Sequence, residues 1–406
     1  MELFYILLVL LFVTRFFGEL AVRFGQTSLI GELIAGIFLG LFFHHYADVL
    51  PVLSNLRDNE VFLAIIDLAI FFLMLAGGIE LRPKDITRSS FVAFWVACGG
   101  MLLPFSLACL LGIYTLPASD LRFAQIIFLG TSLSVTAVPV AVKVLMETKA
   151  LETEIGGIIV SAAVIDDVLS LMLLAVLTGV ARTHAFPDLT VLGTLLGKII
   201  IFFVVAILLG KYLFPFVGNL IKRAGAEEFE LSMLLVAAFA YAFLAEKLGL
   251  HFILGAFLAG LFFGRSTIDT ETYDDIQTKV NGISTGFLAP LFFASIGLHL
   301  DLMAISKIPV FICLLIALAV VGKVIGAGLP ARIHKLSWRQ SSSIGVAMNA
   351  RGAVELIIAD IARRNGLFAG PNPTPDVIEY LFSAVVIMAI FTTLITPFIL
   401  KKTLHP

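Results

Sequence analysis

The chain has 406 residues, 60% of them hydrophobic and 14% charged, with a net charge of −2 and a mean hydropathy of +1.05. A water-soluble fold of this length has no interior large enough for that much apolar surface, so the composition predicts an all-α polytopic membrane protein. The net charge says nothing about partners, and no nucleic-acid partner is expected. Cys98, Cys109 and Cys313 lie in apolar segments without metal-ligand spacing, and the seven histidines are scattered, so no cofactor or resident metal is expected.

Apolar runs near 20 residues, separated by turns and charges, predict about 13 spans, roughly 2–22, 28–43, 61–79, 91–115, 123–147, 155–180, 190–216, 230–247, 250–264, 278–299, 307–330, 340–362 and 377–400. Met1-Glu2 leads straight into the first apolar run without a basic start, so that run is expected to be a retained span and not a cleaved leader.

The fifth span contains Gly130-Thr131-Ser132-Leu133-Ser134-Val135-Thr136-Ala137-Val138-Pro139. A proline preceded by hydroxyl residues predicts an interrupted helix with freed backbone groups. Thr131, Ser132 and Thr136 there offer oxygens to a cation, or hydrogen bonds to their own helix.

The sixth span runs from Ile155 to Val180, and its only ionisable groups are Asp166 and Asp167. Eleven residues precede the pair and thirteen follow it, which places it near the membrane midplane. Charge at that depth is expensive and marks a functional site. The neighbours differ by about 100° around the helix, so one can face a water-filled cavity while the other faces a partner.

The seventh span carries Lys198 near its start, where snorkelling or helix packing accounts for it. In the eleventh, LIALAVVGKVIGAGLP, Lys323 lies well inside the apolar run and calls for a carboxylate partner. The twelfth mixes small, polar and charged residues from Gly345 to Glu355, and predicts a second broken helix. Arg351 and Glu355, four apart, would share a helical face and compensate each other's charge.

With the N-terminus outside, the inside connections hold 16 Lys and Arg and the outside ones 7, which predicts a cytoplasmic C-terminus. Only Arg15, Lys198, Lys323 and Arg351 remain for membrane depth. The chain also resembles itself. Gly40-Leu41-Phe42-Phe43 matches Gly260-Leu261-Phe262-Phe263, and the run ending at Leu81 parallels that ending at Leu300. An offset of about 220 residues spans seven predicted segments, an odd number, so the copies should have inverted topology, with two crossing discontinuous helices.

The segments TSLSVTAVPVAVKVL, VSAAVIDDVLSLMLL, VVGKVIGAGLPAR and GVAMNARGAVELIIA together resemble the cation:proton antiporter superfamily, in its second branch of bacterial Na⁺/H⁺ and K⁺/H⁺ antiporters. The resemblance covers nearly the whole chain. It implies that Asp167 binds the cation or the proton and that Asp166 pairs with Lys323. An aspartate at the first position implies electrogenic exchange. Thr136-Ala137-Val138-Pro139 in place of Thr-Asp-Pro, and Ala162-Ala163 in place of Glu-Ser, set the chain apart from the first branch. The MNARG segment is similar to members assigned to potassium as well as sodium.

The resemblance further implies a homodimer in a bacterial inner membrane. Its scaffold and dimerisation part would fall at roughly 1–87 and 230–305, its ion-transport core at roughly 88–183 and 306–406, and a linker helix at roughly 184–229. Some potassium-efflux members add a nucleotide-binding domain; the chain has no Gly-rich βαβ unit, so gating of that kind is not expected of it.

The physical logic also stands on the residues alone. A carboxyl removed from water holds a proton more readily, so a buried aspartate is a place where protons and cations compete. The chain is thus expected to be a transporter and not an enzyme, exchanging Na⁺ (or Li⁺ or K⁺) for H⁺ by alternating access. K⁺/H⁺ exchange is the alternative within the branch, and a sodium-coupled solute symporter the alternative outside it. Nothing resembles a channel filter, and neighbouring aspartates on one helix diverge too far for an aspartyl protease.

Overall fold

The computed structural model describes residues 2–45, 56, 59–80, 90–136, 141, 145, 150, 153–183, 189–221, 229–263, 270–370 and 373–404. Within them the structure is helical, with no strand. Eight helices among the described residues are long and apolar enough to cross a bilayer. In such helices every interior backbone group is satisfied within its own segment, as lipid requires. The expected count of about 13 is not reached among them. Ser28–Phe42 and Phe252–Phe262 are shorter apolar helices, and two predicted spans are broken into pieces. The chain divides into two compact units, residues 1–82 with 193–299, and 83–192 with 300–406.

The first unit contains α1 (Glu2–Arg23), α2 (Ser28–His45) and α3 (Glu60–Glu80). In the second unit follow α4 (Ser90–Thr115), α5 (Arg122–Ser134) and α6 (Glu154–Thr183). The long helix α7 (Leu189–Ile221) starts in the second unit and continues in the first, with Lys198 exposed. The first unit is completed by α8 (Phe229–Lys247), α9 (Phe252–Phe262), α10 (Thr270–Ile283) and α11 (Ala289–His299), the last two joined by a π-helical turn, Ser284–Leu288. Glycines set its packing. A Cβ on Gly36 would lie 2.3 Å from the Ala294 carbonyl oxygen, and one on Gly297 2.3 Å from that of Leu33, so α2 and α11 touch backbone to backbone. Gly78 and Gly260 do the same for α3 and α9, at 2.2 Å from Phe257 O and 2.3 Å from Leu75 O.

The second unit is completed by α12 (Pro309–Ile333), α13 (Trp338–Ala347), α14 (Ala353–Arg364) and α15 (Leu381–Leu404). Small side chains let α4, α6, α12 and α13 close around a core that includes Ala97, Ile159, Ala162, Ala327 and Ile344. A Cβ on Gly99 of α4 would lie 2.2 Å from Gly326 O, and one on Gly326 of α12 2.4 Å from Gly99 O. From α13, a Cβ on Gly345 would lie 2.4 Å from Val324 O. The backbone of α12 is therefore in contact with two neighbours within one turn of Lys323.

Both predicted interruptions fall in this unit. Helix α5 ends at Ser134, and Val135 turns extended at φ −67°, ψ 145°. Ala137, Val138 and Pro139 lie outside the described residues. The twelfth span separates into α13 and α14, with extended Gly352 immediately before the second helix.

Candidate ion-transport site

Asp166 and Asp167 lie near the middle of α6 and have different surroundings. Asp166 is 0% exposed, as is Lys323 of α12. The Lys323 ammonium donates to both carboxylate oxygens, at 3.2 and 3.3 Å. Asp167, about 100° further around the helix, is only partly buried. It has no hydrogen-bond or ion-pair partner among the described residues, although the charges of Asp166 and Lys323 act on it. One turn of helix therefore presents one neutralised carboxylate and one open carboxylate.

The broken helices close on each other beside this pair. The last carbonyls of α5 have no intrahelical donor and form the negative end of its dipole. Arg351, on the non-helical stretch before α14, donates to two of them, through Nη1 to Ser132 O and through Nη2 to Leu133 O at 2.6 Å. Thr136 Oγ1 donates across the gap to Met348 O at 3.0 Å. On the other side, Thr393 Oγ1 of α15 donates to Arg351 O at 2.9 Å, and Asn349 Nδ2 to Thr396 Oγ1 at 3.3 Å. Each freed backbone group named here finds a partner from another segment, which is how non-helical backbone is tolerated at membrane depth.

Arg351 and Glu355 do form an ion pair, but not on a helical face. Gly352 is extended and α14 begins only at Ala353, so the two residues do not share a helical face. Their closest approach, Nη1 to Oε2, is 3.7 Å, while the guanidinium makes its hydrogen bonds to α5. Glu355 stands in the first turn of α14, where a carboxylate complements the positive end of the dipole. Neither of its oxygens accepts a hydrogen bond among the described residues. The charges of Glu355 and Lys323 act on each other, as do those of Arg351 and Asp166.

The three hydroxyl residues expected at the first break have separate surroundings. Thr131 donates to Ile127 O of its own helix at 2.8 Å, and Thr136 bridges to Met348. The Ser132 hydroxyl is buried with no partner among the described residues. Asn349, Thr393 and Thr396 were not singled out from the sequence. The Thr392, Thr393, Thr396 cluster on one face of an apolar helix was the available signal. No group of three or more His, Cys, Asp or Glu among the described residues is placed to hold a metal ion.

A family model described as sodium/hydrogen exchanger, transmembrane, matches residues 7–405. The chain is 31% identical over 402 residues to the Na⁺/H⁺-K⁺ antiporter GerN of Bacillus cereus, covering 99% of this chain and 96% of that protein. It is 30% identical to the Na⁺/H⁺ antiporter NhaS4 of Synechocystis, covering 97% and 95%. Among solved structures it is similar to the sodium proton antiporter MjNhaP1 from Methanocaldococcus jannaschii, with a TM-score of 0.74 over 99% of this chain and 97% of that one, at 17% identity.

Proposed function

The chain belongs to the sodium/hydrogen exchanger family, and on that premise we propose that it is an electrogenic Na⁺/H⁺ antiporter whose exchange site is Asp167. The observation that carries the reading is the asymmetry of the aspartates. Lys323 occupies Asp166, while Asp167 is partly accessible and has no partner among the described residues. Asp167 binds either one cation or a proton, and the cation's arrival opens the Asp166–Lys323 pair. Ser132 and Thr136 contribute oxygens at the broken end of α5, Thr131 lies behind them, and Arg351 and Glu355 balance the exposed helix ends. Because the site binds one species or the other and is rarely carried across empty, influx of one ion drives efflux of the other.

Alternating access follows if the unit holding this site moves against the other unit, which serves as scaffold and homodimer interface. The excess of basic residues on one side supports a cytoplasmic C-terminus and an outside N-terminus in a bacterial inner membrane. K⁺ as a second cargo is favoured by one observation, the similarity to a relative named for both sodium and potassium.

Purified protein in proteoliposomes, with the membrane potential clamped, tests the reading. Na⁺ or Li⁺ addition should release protons from loaded vesicles, at a rate that depends on the potential. Asp167→Asn should abolish the response. Retained exchange in that variant refutes the site, and insensitivity to potential removes the electrogenic claim alone.

A further inference from the structure

We propose that Ser170 is an additional ligand of the transport site, its hydroxyl oxygen completing the coordination of the partly dehydrated monovalent cation held by Asp167. The inference rests on the assignment of the exchange site to Asp167 and adds a residue that the aspartate motif does not contain.

Helical geometry is the first support. At about 100° per residue, Ser170 falls about 40° from Asp166 and about 60° from Asp167, inside the angular gap between them. It stands roughly one turn further along α6. Side chains on a helix lean towards its N-terminus, so the Ser170 hydroxyl leans back towards the level of the aspartates.

The second support is the state of the hydroxyl. Ser170 is 0% exposed, and its Oγ has no hydrogen-bond partner among the described residues. Serine and threonine in apolar helices ordinarily return the hydroxyl hydrogen to a carbonyl one turn back. In this unit Thr131, Ser134, Thr178, Thr392 and Thr396 all do so, Thr178 on the same helix as Ser170. A buried hydroxyl left without a partner is costly unless something occupies it. Ser132, at the broken end of α5, shows the same unpartnered burial. Ser341 of α13 is buried and unpartnered as well, but of these hydroxyls Ser170 is the one on the aspartates' own helix. It supplies a neutral oxygen of the kind a hard cation takes once some of its water is shed.

The neutral oxygen bears on selectivity. It adds affinity for the cation without adding charge, so its removal should weaken cation binding and leave the proton-binding carboxyl in place.

Two readouts test this on the purified full chain at fixed pH: the rise in melting temperature with added Na⁺, Li⁺ or K⁺, which reports binding alone, and the cation concentration for half-maximal exchange in proteoliposomes. Loss of one hydrogen-bond-sized contact in Ser170→Ala should weaken Na⁺ about fivefold in both. Ser170→Thr, which keeps the hydroxyl, should restore the wild-type value. Should the alanine variant fail to fold, Ser170→Cys fills the same space with a poor sodium ligand and should show the same weakening. Wild-type cation dependence in Ser170→Ala, or in Ser170→Cys where that stands in, overturns the assignment. Asp167→Asn, run alongside, separates the two ideas. If its melting temperature still rises with cation, the Asp167 site falls and Ser170 with it. If it no longer responds while Ser170→Ala titrates as wild type, only Ser170 falls.

Discussion

Asp166–Lys323 in the second unit and Arg15–Glu32 in the first are both ion pairs between helices, and they are sealed to different degrees. Lys323 and Asp166 are both 0% exposed, and the ammonium has only that carboxylate as its hydrogen-bond acceptor among the described residues. Arg15 lies 3.5 Å from Glu32, with its own side chain 41% exposed. It also donates to the carbonyls of Thr285 and Gly286 in the π-helical turn, where backbone groups are left over from the regular pattern. Arg15 therefore keeps acceptors when its carboxylate is lost, and Lys323 does not. A pair with a single partner on each side suits a part that must open and close, and a pair with spare partners suits a fixed joint.

Neutralising the acid of each pair is the sharpest way to test that contrast. Asp166→Asn should cost about 3–5 kcal/mol, because it strands a buried ammonium. Unfolding in detergent measures it, and adding Lys323→Met should recover most of the loss. If the single variant is as stable as wild type, the Lys323 charge is balanced by another group and the sealed description is wrong. Gly326→Val should cost about 1–3 kcal/mol by overpacking, since its Cβ would face the Gly99 backbone and not a side chain that can move. Because Gly326 is one turn from Lys323, exchange should fall along with stability; loss of stability with full exchange would separate helix packing from the site. The smallest effect is expected for Glu32→Gln, about 1 kcal/mol or less, with Arg15 still held by two carbonyls. A cost matching that of Asp166→Asn would erase the distinction between the pairs.

Much of the fold was legible in the chain because lipid imposes a severe rule: backbone at membrane depth must be helical or find partners within the protein. Apolar run length marked the helices, and Lys323 was marked by the absence of any other charge near it in sequence. The breaks were legible in kind and less so in position. The run Gly130–Pro139 predicted an interruption, and α5 stops within it at Ser134, where Arg351 takes two of its last carbonyls. Arg351 does pair with Glu355, but from a stretch that is not helical, where it also meets orphan carbonyls of α5. Asn349 stood in a stretch marked as polar without a role of its own, and Thr393 and Thr396 passed unnoticed because a threonine in an apolar helix ordinarily bonds its own backbone until a break gives it something else to hold.

What the sequence determined by itself is local. It specified membrane helices, charges inside apolar spans, two interruptions and, through its motifs, the family. What only the tertiary structure decided is which groups meet. Asp166 and Asp167 are the same residue type one position apart, and helical geometry requires only that they face different ways. Lys323 lies 157 residues from Asp166, and its position follows from where the Gly99–Gly326 and Val324–Gly345 contacts hold α12. The energy of a buried charge depends on partners a few ångströms away in space, and helical periodicity carries no information about helices so distant in the chain.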